Sequence, residues 1–92
     1  MSVSLGEAIE KLLKVYKIEK PVRQNEALYY WSEIVGENIA RHTTAEKVDY
    51  GKLYVRVDSP VWRNELSFQK EEILKKINER LKNAHLKEIV LR

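Results

Sequence analysis

Two histidines, a pair of adjacent glutamates and a serine ahead of a proline are the residues of this chain whose types could carry catalysis. His42 and His85 form no i, i+4 pair and no His-Glu-x-x-His pattern, the spacings that put two imidazoles on one metal. Cysteine is absent, so thiolate zinc sites, disulfide scaffolds and cysteine nucleophiles are excluded. Glu71 and Glu72 are neighbours, hence about 100° apart on a helix, and cannot address one substrate together. Ser59 precedes Pro60 and is accounted for as a helix cap. His42 follows a helical pattern and is expected to meet the carbonyls at that helix's C-terminus. The three glycines stand at positions 6, 36 and 51, which leaves no phosphate-binding loop and no dinucleotide fingerprint. These residues point away from an enzyme, and no cofactor, metal or small-molecule substrate is expected.

Binding chemistry remains. Trp31 and Trp62 could stack on bases, but both fall on apolar stripes, where core packing is the expected role. Contact with a polyanion would then rest on distributed charge. The formal net charge is +3, from 17 Lys and Arg against 14 Asp and Glu. Residues 1–45 hold six basic and six acidic groups, so the whole excess lies in the second half, with eleven basic and eight acidic. Two surfaces could use it. One is an open sheet face with Lys47, Tyr54, Arg56 and Arg92; the other is the outer side of the third helix and its start, with Arg63, Lys70, Lys75, Lys76, Arg80 and Lys82. On that helix Lys75 and Lys82 flank Phe68, while Lys76 and Arg80 point elsewhere. Interspersed Glu71, Glu72 and Glu79 dilute the field, so weak, salt-sensitive, sequence-nonspecific binding is expected.

The elements that must position these residues follow from periodicity. Ser4 with Glu7 has capping-box spacing, and Leu5, Ile9, Leu12, Leu13 and Tyr16 form the apolar stripe of a helix over residues 4–17. Pro21 ends that run and suits the first turn of a second helix, whose stripe is Ala27, Leu28, Trp31, Ile34 and Val35. Gly36 breaks the pattern before a short continuation at Ile39-Ala40. Residues 46–49 read as a strand and 50–52 as a turn, and Leu53, Val55 and Val57 give one buried face of a second strand. Ser59-Pro60 starts a third helix running to about Lys82, with Trp62, Leu66, Ile73, Leu74, Ile77 and Leu81 inward. Phe68 lies opposite that stripe and is therefore exposed or at an irregularity. Residues 86–92 alternate as a final strand. The order α-α-β-β-α-β predicts an α+β fold in one domain over residues 1–92: a three-stranded sheet, helices on one face, the first two strands a hairpin and the last parallel to its neighbour. The expected core includes Leu12, Trp31, Ile34, Val55, Trp62, Leu66, Ile73 and Ile77. With 43% hydrophobic and 34% charged residues and no long apolar run, the chain reads as a soluble, cytoplasmic protein without a membrane span.

Three blocks in order carry a resemblance: Trp31-Ser32-Glu33-Ile34-Val35-Gly36-Glu37-Asn38-Ile39-Ala40-Arg41-His42-Thr43, then Gly51-Lys52-Leu53-Tyr54-Val55-Arg56-Val57, then Ser59-Pro60-Val61-Trp62-Arg63-Asn64-Glu65-Leu66. Together they resemble the bacterial DciA family over about residues 5–92. That resemblance implies a domain similar to the K-homology fold and a role in loading or operating a DnaB-type replicative helicase, with DNA binding. It implies a non-enzymatic adaptor in DNA replication; the alternative is a nucleic-acid-binding module without a helicase partner. The Gly-x-x-Gly loop by which K-homology domains clamp a nucleic-acid backbone is missing from this chain.

Overall fold

The computed structural model describes residues 4–15 and 19–92. The elements run α1 (Leu5–Val15), α2 (Glu19–Val35), α3 (Glu37–Ala40), β1 (Thr43–Asp49), β2 (Lys52–Val57), α4 (Pro60–Ser67), α5 (Lys70–Arg80) and β3 (Glu88–Leu91). The strands form one sheet in the order β1-β2-β3, antiparallel between β1 and β2 and parallel between β2 and β3. This is the expected α+β arrangement. Helices cover the face carrying Leu53, Val55 and Val57, and Lys52, Tyr54 and Arg56 point to the other side.

The core forms where α2 and α5 meet the sheet. Ala27 and Trp31 enter it from α2, Ile73 and Ile77 from α5, Leu66 from α4 and Ile89 from β3, all buried. Trp31 also has a polar task. Its Nε1 donates to Thr43 Oγ1 at 2.9 Å, and that hydroxyl donates to the Ile39 carbonyl at 2.8 Å. The indole thus ties α2 to the junction of α3 and β1 without leaving a buried N–H unpaired. Gly36, at φ 88°, permits the turn between α2 and α3.

Two side-chain amides hold the segment that returns the chain to the sheet. Asn78 Nδ2 donates to the Leu86 carbonyl at 3.0 Å, and Asn78 Oδ1 accepts from the Leu86 N–H at 2.8 Å. Gln24, a buried polar residue of α2, donates from Nε2 to the Ala84 carbonyl at 2.9 Å. Asn83 and His85 in this segment have left-handed backbone, at φ 74° and 52°. Lys87 N–H then donates to the Gly51 carbonyl at 2.8 Å, and β3 starts beside β2.

Several elements depart from the sequence reading. Leu12 was expected in the core, yet it is 54% exposed, and Leu5 and Ile9 on the same stripe are exposed too. Periodicity identifies the apolar side of a helix but not what covers it. Ser4 does cap α1, its Oγ accepting from the Glu7 N–H at 3.1 Å, while the helix meets α2 through the Glu10–Arg23 ion pair. The expected end of this first helix, at Tyr16 and Lys17, lies outside the described residues. The helix expected to start at Pro21 begins at Glu19, with Pro21 still in its first turn, where its missing N–H costs nothing. The single helix expected over 60–82 is two. Its backbone tightens at residues 68 and 69, where Phe68 N–H bonds Glu65 O and Gln69 N–H bonds Leu66 O, three residues back rather than four. Ser67 Oγ donates to the Asn64 carbonyl at 2.5 Å just before the break. Trp62 and Ile34, both expected inside, are half-buried at the core's margin.

Ile77→Ala is expected to lower stability by about 2–5 kcal/mol, whereas Leu12→Ala changes it by less than about 0.5 kcal/mol. Urea unfolding followed by circular dichroism compares the two. Asn78→Ala leaves both backbone groups of Leu86 without their partner and is expected to cost about 1–3 kcal/mol. Asn78→Asp, which keeps the acceptor for the Leu86 N–H but sets a carboxylate oxygen against the Leu86 carbonyl, should also be destabilised in the same assay.

Candidate functional site

The open sheet face is built around Tyr54. In the β1–β2 ladder Tyr54 stands opposite Lys47, whose Nζ lies 5.0 Å from the ring centroid. From the far side of the sheet Arg92 places its Cζ 4.5 Å from the same centroid. Two cations over one aromatic ring is an attractive arrangement, since the ring faces carry the negative end of its quadrupole.

This geometry depends on an extra residue. The register of β1 shifts between Ala45 and Lys47, so Glu46 is a bulge opposite no residue of its own. In an unbulged register Glu46 would stand opposite Tyr54 and Lys47 would point to the helix side. The bulge turns the Glu46 carboxylate, largely shielded, toward two arginines: Oε2 lies 2.9 Å from Arg56 Nη2 and Oε1 4.0 Å from Arg92 Nη1. Oε1 is buried and has no hydrogen-bond partner among the described residues, so the longer contact to Arg92 is its electrostatic compensation. Lys52 approaches Glu88 across β2 and β3 at 3.9 Å. Four basic groups (Lys47, Lys52, Arg56 and Arg92) therefore share the face with Asp49, Glu46 and Glu88. The positive field is modest.

The helical cations do not make a second continuous surface, because the break at 68 and 69 separates Arg63 on α4 from Lys70, Lys75, Lys76 and Arg80 on α5. Arg63 Nη2 reaches the Val57 carbonyl at 3.4 Å, at the end of β2. Arg80 is drawn onto α2, with Nη2 at 2.8 Å from Glu33 Oε1 and its Cζ 5.2 Å above the Tyr30 ring. Lys76 joins Arg80, Glu33 and Ile34 around one shallow depression. Lys75 and Lys82 are exposed.

Phe68 sits at the α4–α5 junction and is 80% exposed. Val61, seven residues earlier and so on the same side of α4, is 78% exposed. Sequence reasoning singled out Phe68 and missed Val61; its lack of a place on the inward stripe was the available signal. It also missed Glu46, because nothing in one strand reveals a bulge. His42 does not serve helix-end carbonyls as expected. Its Nδ1 lies 3.2 Å from both carboxylate oxygens of Asp58, and its ring stacks on Trp62 with centroids 4.7 Å apart and planes 18° apart. Trp62 thus packs against the core on one side and carries the His42 ring on the other. Ser59 Oγ accepts from the Trp62 N–H at 3.1 Å, which is the cap read from the sequence. Among the described residues no group of three or more His, Cys, Asp or Glu could hold a metal ion, and no helix is long and apolar enough to cross a membrane.

Comparison with known proteins shows the family. A family described as "Dna[CI] antecedent, DciA" matches residues 4–91. A UPF0232 protein of Streptomyces coelicolor is 30% identical over 89 residues, covering 95% of this chain and 47% of the relative. One from Corynebacterium glutamicum is 31% identical over 78 residues (85% and 44%), and one from Mycobacterium ulcerans 32% over 73 residues (79% and 39%). The chain thus spans less than half the length of these curated relatives. The family match runs from the cap of α1 to the end of β3, taking in the bulged sheet and the α4–α5 junction alike, and the chain belongs to the DciA family.

Proposed function

We propose that this chain is a non-enzymatic adaptor in DNA replication that contacts a DnaB-type replicative helicase, assisted by weak DNA binding. Family membership supports the replication role. The observation that carries the contact is Phe68, a large aromatic exposed at the α4–α5 junction, with exposed Val61 about two turns earlier on the same side of α4. Exposed apolar side chains grouped on one side of a helix favour a protein partner, because their burial is a non-directional gain available on docking. Lys70 and Lys75 nearby would set orientation and encounter rate more than affinity. Calorimetry with a DnaB-type helicase is expected to show association at tens of micromolar or tighter, about −6 kcal/mol or better. Phe68→Asp should weaken it at least about tenfold, a loss of about 1.4 kcal/mol, with an unchanged melting curve. No association at that concentration would sink the proposal.

The arrangement at Tyr54 favours a second role for the open face. An aromatic flanked by Lys47 and Arg92, with Arg56 beside it, offers a base a stacking surface and a phosphate its countercharges. The interleaved carboxylates keep the expected affinity low and its origin electrostatic. Fluorescence anisotropy with single- and double-stranded oligonucleotides should show sequence-nonspecific binding that falls as salt rises. Arg56→Glu should flatten the salt slope by about one phosphate contact or more, while Lys82→Glu, away from the sheet, leaves it nearly unchanged. Equal effects of the two reversals would remove the sheet face from consideration.

A further inference from the structure

The two edges of the sheet are not equivalent. β1 is interrupted by the bulge at Glu46, which breaks the regular spacing another strand would need. β3 has no such protection. Arg92 commits both backbone groups to β2, its N–H bonding Val55 O and its carbonyl accepting from Val57 N–H, each at 2.9 Å. Backbone direction alternates along a strand, so Val90 also faces β2 while Ile89 and Leu91 direct their N–H and C=O groups to the outer edge. No bond to these four groups is made by any side chain or loop among the described residues.

We infer that β3 pairs antiparallel with β3 of a second copy of this chain, about a two-fold axis through Val90. In that register Ile89 meets Leu91 of the second copy and Leu91 meets its Ile89, which satisfies all four outward groups on each strand with four hydrogen bonds. Side chains on the open face then fall into complementary order. Val90 meets its own copy on the axis, and Glu88 stands opposite Arg92 of the second copy on either side. These are non-hydrogen-bonded pairs, whose side chains approach most closely. A slip of two residues in either direction removes Arg92 from opposite Glu88, and a slip of one sets outward groups against inward ones. On the helix side, half-buried Leu91 would be covered by Ile89 of the second copy. The pairing is isologous and closed: the bulged β1 edges end the six-stranded sheet on both sides. One pair of four-residue strands is small beside a standard interface, so the dimer is concentration-dependent rather than obligate.

Sedimentation equilibrium of the chain over a rising concentration series tests this. The apparent mass should climb from the 10.9 kDa of one chain toward twice that value. Glu88→Arg alone and Arg92→Glu alone should each weaken the dimer at least about tenfold by setting like charges opposite. Combining Glu88→Arg with Arg92→Glu should restore it, a rescue that this two-fold register alone provides. Val90→Lys should also dissolve it, with thermal unfolding of the diluted monomer showing that the fold is kept. A chain that stays monomeric up to about millimolar concentration overturns the inference. So does a dimer indifferent to Val90→Lys, or one lost instead on Ile9→Glu, which would put the contact on α1.

Discussion

The fold depends on a constraint that acts on seven residues. Between α5 and β3 the chain must turn back, drop onto the sheet and arrive parallel to β2, and residues 81–87 do so with two side chains in left-handed backbone. Such conformations carry a steric cost that something else must offset. Asn78 supplies both hydrogen-bonding partners for Leu86, and Gln24 reaches from α2 to the Ala84 carbonyl. Leu81, Ala84 and Leu86 can therefore be buried without stranding their backbone groups. The amides come from the two helices that frame the core, so helix packing and strand placement are one event. The β3 side of the open face inherits its position from this, since Arg92 reaches Tyr54 and Glu88 reaches Lys52 only when β3 lies in register.

That face shows how an apparent excess of positive charge is spent locally. Lys47, Lys52, Arg56, Arg80 and Arg92 are drawn into pairs with Glu46, Glu88 and Glu33, or onto the rings of Tyr54 and Tyr30. Exposed pairs of this kind contribute little to stability. They do fix the orientation of long side chains. A preordered cation loses less freedom when it meets a ligand, and a neighbouring carboxylate makes that ligand compete. The result is selectivity of placement rather than strength.

Local rules were legible in the sequence. The alternation of Leu53, Val55 and Val57 located β2 and its buried face, Ser59-Pro60 located the start of α4, and Ser4 with Glu7 located that of α1. The element order sufficed for the sheet topology, because a helical crossover favours a parallel return. What escaped the sequence depends on residues far apart in it. Leu12 has the right periodicity but is left exposed by the described residues. Trp62 packs at the core's margin and also meets His42, twenty positions upstream. The bulge at Glu46 is defined only against β2, and the Asn78–Leu86 pairing only after α5 has ended. Phe68 lay between: its angular misfit was visible, while the break that resolves it was not.

The Tyr50–Gly51 turn and the β3 return also divide the molecule in time. Both turn residues have positive φ, at 50° and 78°, the geometry of a tight two-residue hairpin, so β1 and β2 can zip by closing a very short loop. β3 has no comparable shortcut. Its pairing with β2 spans two helices and must wait for them, which places it among the non-local contacts that govern the rate of folding. Until that step is complete, β2 itself is an open edge, bearing the apolar row Leu53, Val55 and Val57. A sequence that folds quickly up to α5 and hesitates before β3 would be at its most aggregation-prone in that interval.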